Sequence, residues 1–141
     1  MIQIQEVKNE DKEKAKKFAD AEWEKFNNEK GYIYKDEKYE YLAIENGIII
    51  GYLHFEINGG AAHLSELIVL KDFRHQGVGE NLINHFEKIS RNKICHIAYL
   101  ETSEKHTEAL KFYKKEGYKK AASLKNNKSH LTWYFLEKVL K

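Results

Sequence analysis

The chain of 141 residues contains no proline and one cysteine, Cys95. None of its apolar runs approaches the roughly 18 residues of a membrane-spanning helix. A single cysteine excludes a disulfide bond within the chain and is typical of a reducing compartment. Residues 1–5 alternate apolar and polar side chains as a strand does, which is not the pattern of a targeting segment. We therefore expect a cytoplasmic protein that does not associate with membranes.

The chain also lacks an excess of charge of one sign. Its 24 Lys and Arg residues and 22 Asp and Glu residues leave a net charge of +2, so long-range attraction for nucleic acid should be weak. The densest basic cluster is typical of a solvated surface, with phosphate or nucleic-acid binding as the alternative; it comprises Lys111, Lys114, Lys115, Lys119 and Lys120. No linker rich in proline or serine divides the chain, so we expect one domain over residues 1–141.

The first half predicts a helix followed by three antiparallel strands. Asn9 can cap an amphipathic helix whose apolar residues recur at helical spacing as far as Phe26. Strands are predicted at residues 39–44, 48–57 and 61–70, with tight turns at Asn46-Gly47 and at Asn58-Gly59-Gly60.

The second half alternates helices and strands. Apolar periodicity predicts a helix at residues 78–89, a strand at 94–100, a helix around 109–113 that Gly117 ends, and strands at 118–124 and 131–139. A helix between two strands implies a parallel crossover. The predicted fold class is α+β.

The stretch Arg74-His75-Gln76-Gly77-Val78-Gly79 lies between the third strand and the following helix. Its glycines allow a tight turn and a close approach of the backbone to a ligand. The first amides of the helix have no partner within the helix, and the helix dipole adds roughly half a positive charge at the same end. The stretch therefore predicts a phosphate-binding site.

Two common phosphate-binding loops do not match these residues. A dinucleotide-binding loop requires a third glycine where this chain has Leu82, and it follows the first strand of a parallel unit. A nucleoside-triphosphate loop requires Gly-Lys-Ser/Thr where this chain has Gly79-Glu80-Asn81.

Two segments resemble the markers of the GNAT superfamily of acyl-CoA-dependent N-acetyltransferases. Arg74–Gly79 is similar to the core of its acyl-CoA signature, Gln/Arg-x-x-Gly-x-Gly/Ala, and Ala109–Tyr118 is similar to its second marker, Ala-x-x-Phe-Tyr-x-x-x-Gly-Phe. The resemblance implies a three-layer fold with a mixed, mostly antiparallel sheet of about six to seven strands, a central parallel pair and about four flanking helices. It also implies direct transfer of an acetyl group from acetyl-CoA to an amine in a ternary complex.

The resemblance further implies where acetyl-CoA binds. Its pyrophosphate would lie on the amides from Gln76 to Gly79, beside Arg74 and His75. A bulge in the third strand would separate it from the next strand, and the pantetheine arm would pair in that gap with the backbone of Leu67, Ile68 and Val69. A donor near Val69 would also stabilise the developing oxyanion. Two further residues, Phe112 and His106, are expected at the cofactor, and His106 stands where relatives commonly have Asn.

The catalytic groups are also implied by position. Tyr113 matches the tyrosine that the family places near the CoA sulfur, so we expect it to act as the general acid. His63 stands where many relatives carry a Glu that acts as the general base, and histidine can also accept a proton at neutral pH. Glu66, His54 and a water molecule are the alternatives for the base. Strict alternation along the third strand would put the Glu66 side chain on the other face of the sheet from His63, unless a bulge intervenes. A three-residue turn between the second and third strands would likewise put His54 on the other face from His63.

Other features are expected to be structural. Lys71 replaces a frequent proline and should loosen the loop without removing its amides. Cys95 is expected to be a small core residue, and no compact His or Cys spacing predicts a metal site.

The acceptor and the assembly stay open at this point. A small amine is preferred over a peptide amine because aromatic and acidic side chains occur in the opening helix and the segment after it; these are Glu22, Trp23, Phe26, Glu29, Tyr32 and Tyr34. A homodimer through the terminal strands is common among relatives. The alternative function is a non-catalytic acyl-CoA-binding sensor or interaction module, which the absence of Glu at position 63 favours.

Overall fold

A computed structural model describes residues 1–32 and 35–141, which form two compact units, Met1–Tyr34 and Lys35–Lys141. In the first unit a short 3-10 turn leads into helix α1, Lys12–Lys30. Asp11, not the predicted Asn9, precedes this helix, and its side chain forms no capping hydrogen bond. Residues 1–5 form no strand, although their alternation of apolar and polar side chains is typical of one. Tyr34, one of the aromatic residues named above, lies outside the described residues.

The second unit is built on a six-stranded mixed sheet. Its strands are β1 Glu37–Glu45, β2 Ile48–Asn58, β3 Ala61–Val69, β4 Ile97–Ser103, β5 Lys119–Leu124 and β6 Trp133–Val139, in the order β1-β2-β3-β4-β6-β5. Helix α2, Val78–Asn92, connects β3 to β4, and helix α3, Thr107–Lys115, connects β4 to β5. All neighbours are antiparallel except β3 and β4. The α+β class and the central parallel pair are confirmed, with three α-helices described where about four were expected.

The turn between β2 and β3 is shorter than predicted. Asn58 pairs with Ala61, so the turn has only Gly59 and Gly60 at its centre, with φ of 57° and 79°. Two successive positive φ values suit the two-residue turns that match the twist of a hairpin. As a result Glu56 lies opposite His63.

The shorter turn changes the face on which His54 lies. Because His54 is two residues from Glu56 on β2, it shares a face of the sheet with His63, and the predicted opposite placement is wrong. A bulge in β3 confirms the predicted irregularity: Phe55 pairs with Leu64 but His54 pairs with Glu66, so Ser65 has no partner. The extra residue brings Glu66 to the same face as His63.

Strands β3 and β4 are paired over a short distance only. Their parallel register runs from Ala61 opposite Ile97 to His63 opposite Tyr99, and no later pair is formed. The remainder of β3, as far as Val69, is paired with β2 alone. A gap therefore opens between β3 and β4 immediately after His63.

Strand β4 begins at Ile97 and not at the predicted Ile94. Helix α2 continues to Asn92, Ile94 takes a positive φ of 61°, and the amide of Cys95 donates to the carbonyl of Ser90 at 2.9 Å. Ile94 and Cys95, which apolar periodicity predicted in the strand, therefore belong to the hydrogen-bonded end of the helix. The strand extends beyond the predicted Leu100 to Ser103, where it still pairs with Trp133 of β6.

Helices α2 and α3 cover one face of the sheet, here called the near face. The core there combines Leu53, Phe55, Ile57, Ala62, Leu64, Ala98, Leu100 and Leu136 from the strands with Leu82, Ile83, Phe86 and Tyr113 from the helices. Residues that alternate with these on the strands, such as His63 and Glu101, point to the opposite, far face. Within residues 1–32 and 35–141, no helix combines the length and apolar character needed to cross a membrane.

A buried ion pair joins α2 to β6 on the near face. Glu87 is 2% exposed, and its carboxylate lies 2.5 Å from Nζ of Lys138 and 3.4 Å from the Arg91 guanidinium. Lys138 also donates to the carbonyl of Glu116 at 2.8 Å. The second oxygen of Glu87, Oε2, has no hydrogen-bond partner among the described residues. The buried carboxylate is therefore compensated mainly by Lys138.

Replacing Lys138 by Met should lower the free energy of unfolding by about 3–5 kcal/mol, because the variant leaves the Glu87 carboxylate buried without its main partner. The double variant Glu87→Met/Lys138→Met should recover most of this loss, since it removes both charges. Urea unfolding of the single and double variants measures both effects. A double variant at least as unstable as Lys138→Met would contradict the pairing.

Candidate active site

The stretch Arg74–Gly79, here called the anion loop, forms an open helix start. His75 and Gly77 take positive φ values of 59° and 84°, and α2 begins at Val78. The amide of Asn81 donates to the carbonyl of Gly77 at 3.0 Å. The amides that precede it point out of the helix end, where the dipole favours an anion. The anion loop thus has the tight turn and the open helix start that the sequence predicted.

Two side chains of the anion loop hold its shape. Nε of Arg74 donates to the carbonyl of Val69 at 3.0 Å, and Nε2 of Gln76 donates to the carbonyl of Asp72 at 3.0 Å. The Arg74 bond ties the loop to the end of β3. The terminal guanidinium nitrogens of Arg74 have no hydrogen-bond partner among the described residues, so they are available to a phosphate.

Gly79 lies where α2 meets α3. A Cβ at this position would be 3.4 Å from the ring of Phe112 and 3.8 Å from the side chain of Val69. Glycine thus allows the start of α2 to pack closely against both. Phe112, predicted at the cofactor, lies directly behind the anion loop.

The gap between β3 and β4 leads away from the anion loop. Leu67, Ile68 and Val69 pair with Leu53, Tyr52 and Gly51 of β2, and no described strand pairs with their other edge. An unpaired strand edge can hydrogen-bond an extended chain of amides. The three residues predicted to contact the pantetheine arm therefore lie along one open edge.

Tyr113 lies on the near face and is 8% exposed. Its ring makes edge contacts with Phe112 and Tyr118 at centroid distances of 5.2 and 5.7 Å. Burial of the phenol raises the pKa of Tyr113 to about 12. The side chain therefore stays protonated and neutral throughout the neutral pH range.

His63 lies on the far face, at the point where the gap opens. Its Nε2 is 2.6 Å from a carboxylate oxygen of Glu101, and its ring stacks on Tyr99 with centroids 4.6 Å apart and planes at 11°. Sequence reasoning missed Glu101 because the predicted strand ended at Leu100. Its position two residues after Tyr99 becomes informative only once the parallel register pairs Tyr99 with His63.

The other candidates for the base lie nearby on the far face. His54 is 3.8 Å from Glu66 and 3.9 Å from Glu56, which is longer than a hydrogen bond. His63 is therefore the only one of the three predicted candidates with a hydrogen-bonded carboxylate among the described residues.

His106 and Cys95 have structural contacts of their own. His106 precedes α3, and its Nδ1 lies 3.2 Å from the hydroxyl of Thr102 at the end of β4. Cys95 is buried, and burial raises the pKa of its thiol. Within the described parts of the chain, no three His, Cys, Asp or Glu side chains are grouped as metal ligands.

Comparison with known proteins finds acetyltransferases in both sequence and fold. The profile of the Acetyltransferase (GNAT) family matches residues 3–118. The aminoalkylphosphonate N-acetyltransferase of Salmonella typhimurium is 30% identical over 86 residues, which cover 57% of this chain and 56% of that protein. An acetyltransferase crystal structure from Bacillus cereus has a TM-score of 0.80 at 21% identity and covers 99% of this chain and 98% of its own. An aminoglycoside 6'-N-acetyltransferase complexed with coenzyme A has a TM-score of 0.67 at 20% identity over 74% of each chain.

An antiparallel meander that ends at the anion loop, with a gap between β3 and β4 beside it, is a fold shared with acetyltransferase structures. Because the profile matches most of the sequence, the chain belongs to the Acetyltransferase (GNAT) family. Acetyl-CoA is the acyl donor of this family. The chain spans just over half the length of its Salmonella relative, 56%.

The variant Gly77→Ala should weaken binding of coenzyme A by about 5- to 30-fold, since a Cβ opposes the φ of 84° at the anion loop by roughly 1–2 kcal/mol. Isothermal titration calorimetry with coenzyme A measures the change. Gly47→Ala is the matched control, because Gly47 has a similar φ of 77° in the β1–β2 turn. Equal affinities of the two variants would contradict a role of the anion loop in binding.

Proposed function

We propose that this chain transfers an acetyl group from acetyl-CoA to a primary amine by direct attack in a ternary complex. The observation that carries the proposal is the gap between β3 and β4, which runs from the anion loop to His63. The anion loop suits a pyrophosphate, and the open edge of β3 suits the amides of pantetheine. One ligand that combines both groups would extend along the gap toward His63.

The transfer requires two proton movements. The amine nitrogen forms a bond to the acetyl carbon, and the carbon–sulfur bond breaks with its electron pair going to sulfur. We assign the excess proton of the amine to His63, which is partly exposed on the far face with a side-chain exposure of 26%. We assign the proton of the leaving sulfur to the hydroxyl of Tyr113 on the near face.

Burial supports the assignment to Tyr113. A phenol with a pKa of about 12 keeps its proton at neutral pH and so remains a donor. A thiolate that leaves beside the same apolar side chains would also be poorly solvated, which raises its own affinity for a proton.

We propose a small amine as the acceptor, in preference to a peptide amine. The names of the Salmonella relative and of the coenzyme A complex both specify small amino compounds. Acetyl-CoA with a panel of amines and a thiol-release readout tests the function. Binding of acetyl-CoA without amine-dependent release of CoA would support the non-catalytic sensor instead.

The variant Tyr113→Phe should lower kcat by about 10²-fold or more and change the affinity for coenzyme A less than twofold, because it removes only the proton donor. Tyr118→Phe is the matched control, since it deletes a neighbouring buried hydroxyl that has no partner among the described residues. Steady-state kinetics and calorimetry give the two parameters. If both variants had equal kcat, Tyr113 would not be the acid.

The pH dependence of kcat should show no loss on the alkaline side between about pH 8 and 10. Burial raises the pKa of Tyr113, so the protonated and active form is fully present below its usual titration range and is lost only as the pH approaches about 12. Measurements of kcat with saturating amine at each pH test this expectation. A decline of tenfold per pH unit from pH 9 that is absent in Tyr113→Phe would contradict it.

A further inference from the structure

Among the titratable groups outside the anion loop, the contact between His63 and Glu101 stands out by its geometry. The distance between Nε2 and the carboxylate oxygen is 2.6 Å, which is typical of a hydrogen bond with a charged partner. A carboxylate can only accept, so Nε2 of His63 must be the donor. The other ring nitrogen, Nδ1, then carries the free lone pair in the neutral imidazole.

The position of the pair in the sheet makes this contact specific. His63 is the last residue of β3 that pairs with β4, and Glu101 lies two residues beyond its partner Tyr99. The Glu101 side chain therefore reaches back across the start of the gap. Stacking on Tyr99 restricts the ring plane of His63 while the hydrogen bond restricts its rotation.

The second ring nitrogen of His63, Nδ1, is not engaged by its neighbour on β2. Glu56 of β2 lies opposite His63 in the antiparallel register, and no hydrogen bond joins the two side chains. Nδ1 of His63 has no hydrogen-bond partner among the described residues. With a side-chain exposure of 26%, the imidazole is accessible to a ligand in the gap.

We propose that Glu101 is a positioning residue that holds His63 in the Nε2–H tautomer, so that Nδ1 is the atom that accepts the proton of the amine. The proposal rests on the proposed role of His63 as base. When Nδ1 takes the proton, the imidazole becomes a cation, and the Glu101 carboxylate 2.6 Å away stabilises that charge. The proton then leaves Nδ1 for solvent, and Glu101 stays ionised throughout.

The tautomer can be measured without any acceptor. Long-range ¹⁵N–¹H correlation spectra at alkaline pH should show His63 with a protonated Nε2 in the wild-type protein, with the signals assigned by their loss in His63→Gln. Glu101→Ala should give a mixture of both tautomers. Glu101→Gln keeps an accepting oxygen without the charge, so its fraction of the Nε2–H tautomer should lie between those of the wild type and Glu101→Ala. Glu56→Gln should leave the spectrum unchanged, since it alters the neighbouring charge but not the hydrogen bond.

Kinetics test whether the contact serves the reaction. Glu101→Ala should lower kcat by about tenfold or more and leave the affinity for coenzyme A within twofold. The double variant His63→Gln/Glu101→Ala should be no slower than His63→Gln alone, because Glu101 acts through His63. Additive losses would overturn the proposal.

The two tests fail separately. A wild-type spectrum with protonated Nδ1, or an unchanged tautomer in Glu101→Ala, overturns the positioning role even if the enzyme is active. An unbiased screen without amine-dependent release of CoA would overturn the proposed function, while the spectra would still decide whether Glu101 orients His63.

Discussion

The divergence of two parallel strands after a few residues is the constraint on which the rest of the site depends. β3 and β4 pair only from Ala61 to His63, and beyond that point the backbone of β3 has one edge without a strand partner. In the interior of a sheet such an edge would leave polar groups unsatisfied, so it is suited to a ligand that carries amides of its own. The bulge at Ser65 bends β3 where this separation begins.

The two faces of the sheet at the gap differ in burial. On the near face, apolar packing holds α2 and α3 against the strands, and it buries Tyr113 so that its phenol keeps its proton. On the far face, His63 and Glu101 remain partly exposed, with side-chain exposures of 26% and 34%. The proposed proton donor, Tyr113, and the proposed proton acceptor, His63, thus lie on opposite faces of the sheet, one in a buried and one in a partly exposed environment.

Local patterns predicted the parts of the fold that depend on neighbouring residues. The glycines of the anion loop, the helix after it and the Asn46-Gly47 turn were all recognisable, because each is decided by the conformational freedom or periodicity of a few residues. The errors lay at the boundaries of elements, where a residue can belong either to a helix end or turn or to the neighbouring strand. Ile94 belongs to the end of α2 and not to a strand, and the β2–β3 turn has two central residues, so His54 shares a face with His63.

The sequence by itself determined the anion loop and the order of elements around it, which is enough to indicate the acyl donor. It also identified His63 and Tyr113 as candidates, through their spacing from the two motifs. Only the tertiary structure decided that Glu101 meets His63, because these residues are 38 positions apart and a parallel register brings them together. Such a contact depends on how two strands pair and then separate, and no local pattern contains that information.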